Sequence, residues 1–219
     1  MKAVRIWFQK IGSARYISHL DLNRCMSRAF HKAKIPLWYT QGFNPHAFLT
    51  FALPLSLGIS GERESMDIKL DDDCITREEL IDRLNFALPE DIPVFDVTQP
   101  VMKPGEIAYA SYVILLDADP CEKENTAGKI SQLFQLPEIV VPKRTKNGLI
   151  DLDIRPYLDQ TEVHTNGTDL EIKTLLPAGS TININPTLLL DAVRKYLNLD
   201  LFSVIKRTNL YNSSFEIFE

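Results

Sequence analysis

Some short segments of the chain alternate apolar and polar side chains, whereas others repeat apolar residues every three or four positions. In the first half, alternation and β-rich composition predict strands at residues 3–9, 48–53, 64–70 and 92–97. The longer spacing predicts two helices. One opens at Ser18 and ends near Lys34, before Pro36; the other follows Thr76 and ends near Leu88. An acid three residues after each hydroxyl completes a capping box, so the first half reads βαββαβ.

The same order of elements returns in the second half. Residues 100–106, PVMKPGE, contain two prolines and a glycine and predict a linker. Beyond it we predict strands at 109–116, 138–143, 149–154, 169–175 and 201–208, and helices at 122–133 and 185–198. The second and third of these strands form a hairpin that adds one strand. From element order alone we expect an α+β fold of two tandem ferredoxin-like βαββαβ units with antiparallel sheets, at residues 1–100 and 107–219.

Composition narrows the class of protein. Hydrophobic residues make up 45% of the chain and charged residues 24%, which is typical of a folded globular protein. No apolar run approaches the roughly 20 residues of a membrane span, and charges interrupt the N-terminus too often for a signal peptide. The cysteines, Cys25, Cys74 and Cys121, are too widely separated for a disulfide framework or a close metal-binding pair. We therefore expect a cytoplasmic protein with no membrane contact and no metal or cofactor of its own.

Charge is distributed unevenly along the sequence. The first 61 residues hold eight basic residues and one acid, a formal +7, whereas the other 158 hold 16 basic and 28 acidic residues, a formal −12. Three of the four histidines also lie in the first stretch. Such asymmetry indicates an anionic or polyanionic ligand at one end of the molecule.

The first predicted helix concentrates this charge. Leu22, Met26 and Phe30 belong to an apolar stripe that should pack on the sheet. Arg24, Arg28 and Lys32 follow one another at intervals of four and form a basic ridge beside the stripe. A solvated helix face is the alternative interpretation, but such a face normally mixes both signs. The scarcity of acids favours anion binding along the ridge.

Residues that bind phosphate or transfer protons surround the ridge. Arg15 precedes the helix and His19 lies in its first turn, where free backbone amides favour anions. The loop QGFNPHA offers a glycine for a sharp turn, side-chain amides for hydrogen bonds and an aromatic ring for base stacking. Structural roles for the individual side chains remain the alternative. The predicted anion- or RNA-binding residues are Arg15, Arg24, Arg28, Lys32, Gln41, Phe43, Asn44 and His46.

These residues carry a family resemblance. The ordered motifs are Arg15 to Asp21 (RYISHLD), the basic helix, the Gly-Phe-Asn-Pro-His loop, Pro-Leu-Ser-Leu-Gly at residues 54–58, and the acids Glu64 and Asp67. Over residues 5–68 the chain resembles the uncharacterised radical-SAM-linked domain family. The second half agrees more loosely, through four basic residues that we predict as a secondary basic set: Lys143, Arg144, Arg155 and Arg207.

The resemblance implies a partner. In that family the domain is fused to, or encoded beside, a radical S-adenosylmethionine protein, often one with a cobalamin-binding region. Because this sequence lacks the three-cysteine cluster motif of such enzymes, the resemblance implies the stand-alone accessory form. S-adenosylmethionine and the iron–sulfur cluster are then expected on the separate radical SAM protein.

Three functions follow as hypotheses. The first is an accessory protein that binds tRNA or rRNA and works with a separate radical SAM enzyme in RNA modification. The second is a protein-interaction module that docks on that partner. The third is a metal-independent ribonuclease in which His19 or His46 transfers protons. A small anionic ligand, including S-adenosylmethionine, is a further possibility, without a glycine-rich nucleotide loop to support it. We rank the non-catalytic accessory role first.

Overall fold

The described residues fold into an α+β structure with a mostly antiparallel sheet and four α-helices. The computed structural model describes residues 2–43, 45–71, 75–146, 148–167 and 169–219. The chain divides into two compact units, Met1–Ile107 with Glu216–Glu219, and Ala108–Phe215. None of the helices in these described ranges has the length and hydropathy needed to cross a membrane.

The first unit follows the predicted βαββαβ order. Its sheet has the strand order β4-β1-β3-β2 with antiparallel neighbours. Ile6 lies opposite Met66 in the register of β1 and β3, and both are fully buried with Leu84 in the core between sheet and helices. The elements are β1 (Lys2–Lys10), α1 (His19–Lys32), β2 (Leu49–Phe51), β3 (Ser60–Leu70), α2 (Arg77–Ala87) and β4 (Val94–Thr98).

Local signals fix the starts of both helices. The Ser18 hydroxyl accepts a hydrogen bond from the Asp21 N–H at 3.1 Å, and the Thr76 hydroxyl accepts one from the Glu79 N–H at 3.2 Å. These contacts confirm the predicted N-caps. Helix α1 ends at Lys32, slightly earlier than predicted, because the backbone has turned to a positive φ of 53° at Lys34.

The C-terminal segment packs on the first unit. The Phe218 ring is 1% exposed and contacts Trp7 edge-on, with 6.4 Å between ring centroids. The Arg5 guanidinium lies 4.2 Å from the centre of the same ring. Arg5 is fully buried and forms an ion pair with Asp67, its register partner on β3, at 2.6 Å. Asp67, one of the acids in the recognised motif, therefore neutralises a buried charge in this fold.

The second unit contains a strand that the sequence did not predict. Its elements are β5 (Ile107–Leu116), α3 (Lys123–Phe134), β6 (Val140–Thr145), β7 (Gly148–Asp153), β8 (Thr161–Asn166), β9 (Asp169–Pro177), α4 (Thr187–Leu197) and β10 (Ser203–Asn212). The strand order is β10-β5-β9-β8, and β6 and β7 form a separate two-stranded sheet. The predicted hairpin is therefore confirmed, but it stands apart from the main sheet, and β8 occupies the position next to β9.

Candidate nucleic-acid interface

A basic groove lies within the first unit, between α1 and the C-terminal end of α2. It encloses a cavity of about 430 Å³. One wall is formed by α1, and the opposite wall is the apolar segment of residues 87–89 that ends α2. The lining side chains of α1 are Asp21, Arg24, Cys25, Arg28, Ala29 and Lys32.

Helix geometry explains why three cations share this wall. Leu22, Met26 and Phe30 are buried in the core, so the positions between them turn outward. Cations four residues apart are stacked on successive turns, with a rise of about 6 Å between neighbours. The structure thus brings Arg24, Arg28 and Lys32 to one cavity, as the spacing of the ridge indicated.

The groove carries more positive than negative charge. Arg24 forms an ion pair with Asp21 at 3.2 Å, and both side chains are more than half exposed. The hydrogen bond from the Ser18 hydroxyl, and then that from Arg24, holds the pKa of Asp21 below its ordinary value. In the part of the chain that the structure describes, Arg28 and Lys32 form no ion pair. Three cations therefore face one acid.

Cys25 lies in the groove wall but has the properties of a structural thiol. Burial raises its pKa above the ordinary value, and the nearby Arg28 charge opposes this only in part. A protonated thiol is a poor nucleophile. The raised pKa favours a packing role for Cys25 over a nucleophilic one.

Phe86 stands beside the groove and was not predicted as a site residue. The Lys32 Nζ lies 5.5 Å from the centre of the Phe86 ring, which is 83% exposed. Leu80 and Leu84 are the buried residues of α2, and Phe86 falls outside their stripe. In the sequence, Phe86 could have been recognised as a candidate because it is an aromatic residue outside the apolar stripe of a predicted helix.

Arg15 and His19 lie near the start of α1 and do not line the groove. The Arg15 guanidinium is 4.7 Å from the Tyr16 ring, and its Nε is buried with no acceptor among the described residues. His19 contacts Phe51 edge-on, with 4.9 Å between ring centroids. Burial, and then the charge of Lys10, lowers the pKa of His19 below 6.5, so the imidazole is neutral at neutral pH.

The loop after α1 forms a third location. Thr40 holds His46, because its hydroxyl accepts the His46 backbone N–H at 3.1 Å and lies 3.1 Å from the His46 Nδ1. Gln41 and Phe43 are exposed at the loop tip, and Asn44 lies outside the described residues. The structure therefore gives the two candidate catalytic histidines different partners, and neither ring lines the basic groove.

The secondary basic residues have separate environments in the second unit. The Lys143 Nζ donates to the Asn183 carbonyl at 2.7 Å, and Arg155 pairs with Asp159 at 2.6 Å. Arg144 is exposed on β6. Arg207 is only 3% exposed, so it offers no surface to a phosphate. Of the four, Arg144 is the most accessible cation.

The folded units do not keep the charge asymmetry of the sequence. The first unit contains 13 basic and 16 acidic residues, a formal −3, and the second contains 11 and 13, a formal −2. The +7 of the first 61 residues is therefore offset by acids of β3, α2 and the following segments in the same unit. Within this unit, Arg24, Arg28 and Lys32 against Asp21 give the groove a local excess of positive charge.

Comparison with known proteins places the chain in a family. The family described as "Uncharacterized protein conserved in bacteria (DUF2344)" matches residues 3–186, more than four fifths of the chain. The chain belongs to this family. The matched region of the family includes the whole basic groove. The family description does not mention a radical SAM protein, so that association stays a prediction from the resemblance.

Comparison with curated proteins and with solved structures gives a weak structural match. No curated protein matches the chain. Among solved structures, the chain is similar to a chain of the "Crystal Structure of a Cbf5-Nop10-Gar1 Complex", with 12% identity and a TM-score of 0.44. The match covers 94% of this chain and 48% of that one, so this chain spans about half the length of its structural neighbour. At a TM-score below 0.5 the likeness supports no conclusion about fold or function.

Proposed function

We propose that the chain is a non-catalytic RNA-binding protein that holds the phosphates of an RNA strand in the basic groove. One observation carries the proposal: Arg24, Arg28 and Lys32 line a single cavity from successive helical turns, opposite an apolar wall. A rise of about 6 Å per cation along α1 is close to the separation of consecutive phosphates in a nucleic-acid strand.

The absence of acid partners strengthens this argument. An ion pair between exposed side chains contributes little to stability, but a cation without an acid partner is available to an incoming anion. In the described part of the chain, Arg28 and Lys32 are such cations. Because the first unit is net negative, we expect an anion to bind where cations are concentrated, as in the groove, through phosphate contacts made there.

The type of RNA and the enzyme partner rest on the resemblance. We infer that the RNA is a tRNA or an rRNA, and that a separately encoded radical SAM enzyme, carrying S-adenosylmethionine and an iron–sulfur cluster, modifies it. We also infer that both units are ferredoxin-like. Their element order without the β6–β7 hairpin, and the strand orders β4-β1-β3-β2 and β10-β5-β9-β8, support that inference.

The ribonuclease alternative has less support. General acid–base catalysis with two histidines needs both rings at one phosphate. His19 contacts Phe51, whereas His46 is held by Thr40 in the loop.

Fluorescence anisotropy with labelled small RNA tests the proposal. We expect Arg24→Glu with Arg28→Glu to lower affinity by on the order of 100-fold, because two phosphate contacts become repulsive. Lys129→Glu with Arg194→Glu is the charge control, since both residues are exposed on helices of the second unit and the net charge changes equally. Arg194 pairs with Asp191 and Asp200, so the stability of this variant is compared as well. Circular dichroism checks folding of each variant.

An equal loss in both double variants, or no binding by the wild-type chain, contradicts the proposal. Loss of co-purification with a radical SAM protein in the groove variant, without any RNA affinity in the wild type, identifies docking as the role of the groove instead.

A further inference from the structure

Phe86 is placed where its aromatic ring gains almost nothing from burial. It belongs to α2, whose core residues are Leu80 and Leu84, yet 83% of its surface is exposed. Burying a phenylalanine side chain stabilises a protein, and Phe86 forgoes nearly all of that gain. A single exposed apolar residue is common at a protein surface. The position of Phe86 relative to the groove is therefore the informative observation.

Lys32 links the ring to the groove. Its side chain lines the cavity together with Arg24 and Arg28, and its Nζ lies 5.5 Å from the centre of the Phe86 ring. The next residue after Phe86 is Ala87, which begins the apolar wall. A phosphate bound at Lys32 and a flat group resting on Phe86 are consequently within reach of one nucleotide.

Lys32 and Phe86 together favour single-stranded over double-stranded nucleic acid. An exposed aromatic ring stacks on the face of a base, and every base has such a face. In a duplex those faces are covered by neighbouring base pairs, and only phosphates, sugars and groove edges are accessible. An unpaired nucleotide can place its phosphate on the cation and its base on the ring at the same time.

We propose that Phe86 is a base-stacking residue at the Lys32 end of the basic groove, and that the groove therefore takes a single-stranded RNA segment. This inference rests on the proposed function, because it requires that RNA phosphates occupy the groove. It adds the strandedness of the ligand and assigns a role to a residue outside the recognised motifs.

Anisotropy with a labelled single strand of about 12 nucleotides, and with the duplex of the same sequence, tests the inference. We expect the wild-type chain to prefer the single strand. Phe86→Ala should weaken single-strand binding by on the order of 5- to 100-fold, and leave duplex binding and the salt dependence unchanged. Phe86→Trp should retain the affinity, and its added fluorescence should be quenched as the single strand saturates the protein.

Phe202→Ala is the control, because Phe202 is also exposed, at 65%, and lies in the second unit. Single-strand affinity within about twofold of the wild type in Phe86→Ala overturns the inference, as does equal wild-type affinity for both probes. If Phe86→Ala binds normally while Arg24→Glu with Arg28→Glu does not, the stacking role fails and the proposed function stands. If the wild-type chain binds neither probe, both fail.

Discussion

Replacing Asp67 by asparagine should destabilise the first unit strongly, although the side chain keeps its shape. The Asp67 carboxylate accepts two hydrogen bonds from Arg5, at 2.6 Å from Nε and 2.8 Å from Nη2. The exposed fractions of the two side chains are 0% for Arg5 and 15% for Asp67. Asp67→Asn leaves the guanidinium buried without a counter-charge, whereas the hydrogen bond from Nη2 to the Met102 carbonyl, at 2.7 Å, remains.

The expected magnitude follows from burial. Removing one partner of a buried ion pair costs about 3–5 kcal/mol, and the partial exposure of Asp67 places the loss near 3 kcal/mol. Asp96→Asn is a matched control in the same unit, since Asp96 pairs with Arg77 at the same 2.6 Å but with exposures of 30% and 56%. An ion pair that is this exposed contributes less than about 1 kcal/mol to the free energy of unfolding.

Urea unfolding measures both variants. Trp7 and Trp38 are the two tryptophans of the chain and both belong to the first unit, so their fluorescence reports its unfolding. The midpoint should fall far more for Asp67→Asn than for Asp96→Asn, with similar slopes. Equal losses in the two variants would refute the argument that burial, and not distance, sets the contribution of these ion pairs.

Three further substitutions have defined outcomes. The pKa of His19 is lowered in the fold, so the unfolded chain takes up the proton first as pH falls below 6.5. As pH is lowered from about 7.5 to about 5, the free energy of unfolding measured in urea should therefore fall more for the wild type than for His19→Gln. An equal fall in the two proteins would contradict this. Phe218→Ala removes a ring that is 1% exposed and should cost about 3–5 kcal/mol by the same assay, and a loss below about 1 kcal/mol would show that the C-terminal segment is dispensable. Gly12→Ala should cost more than about 1 kcal/mol, because Gly12 has a φ of +52° and a Cβ there would clash with the Asp91 carboxylate; unchanged stability would show that the turn relaxes freely.

Local signals made most elements of the first unit predictable. Alternation of apolar and polar residues marks β1 as a strand, although the structure buries both of its faces from Val4 to Phe8. The hydroxyls of Ser18 and Thr76 mark the helix starts within one residue. Strand β8 gave no such signal, because Val163 is its one apolar residue and most of its side chains are exposed. An edge strand that is polar on both faces lacks the alternation on which sequence-based prediction depends.

The groove was predictable only on one side. The spacing of four residues in the sequence is sufficient to place Arg24, Arg28 and Lys32 on one face of α1. The opposite wall at residues 87–89, and Phe86 beside it, follow from how α2 packs on α1, which no local pattern encodes. Because the acids of β3 and α2 belong to the same unit, the positive excess of the first 61 residues does not extend to the unit as a whole.

The salt dependence of RNA binding tests the central claim most directly. Three phosphate contacts by the groove cations predict that the logarithm of the binding constant falls with the logarithm of salt concentration with a slope of about −2 for a single strand. Arg28→Gln removes one cation and should reduce the slope to about −1.4, whereas Lys129→Gln on the second unit should leave it unchanged. A wild-type slope near zero, or the same slope in wild type and Arg28→Gln, would contradict phosphate binding in the basic groove.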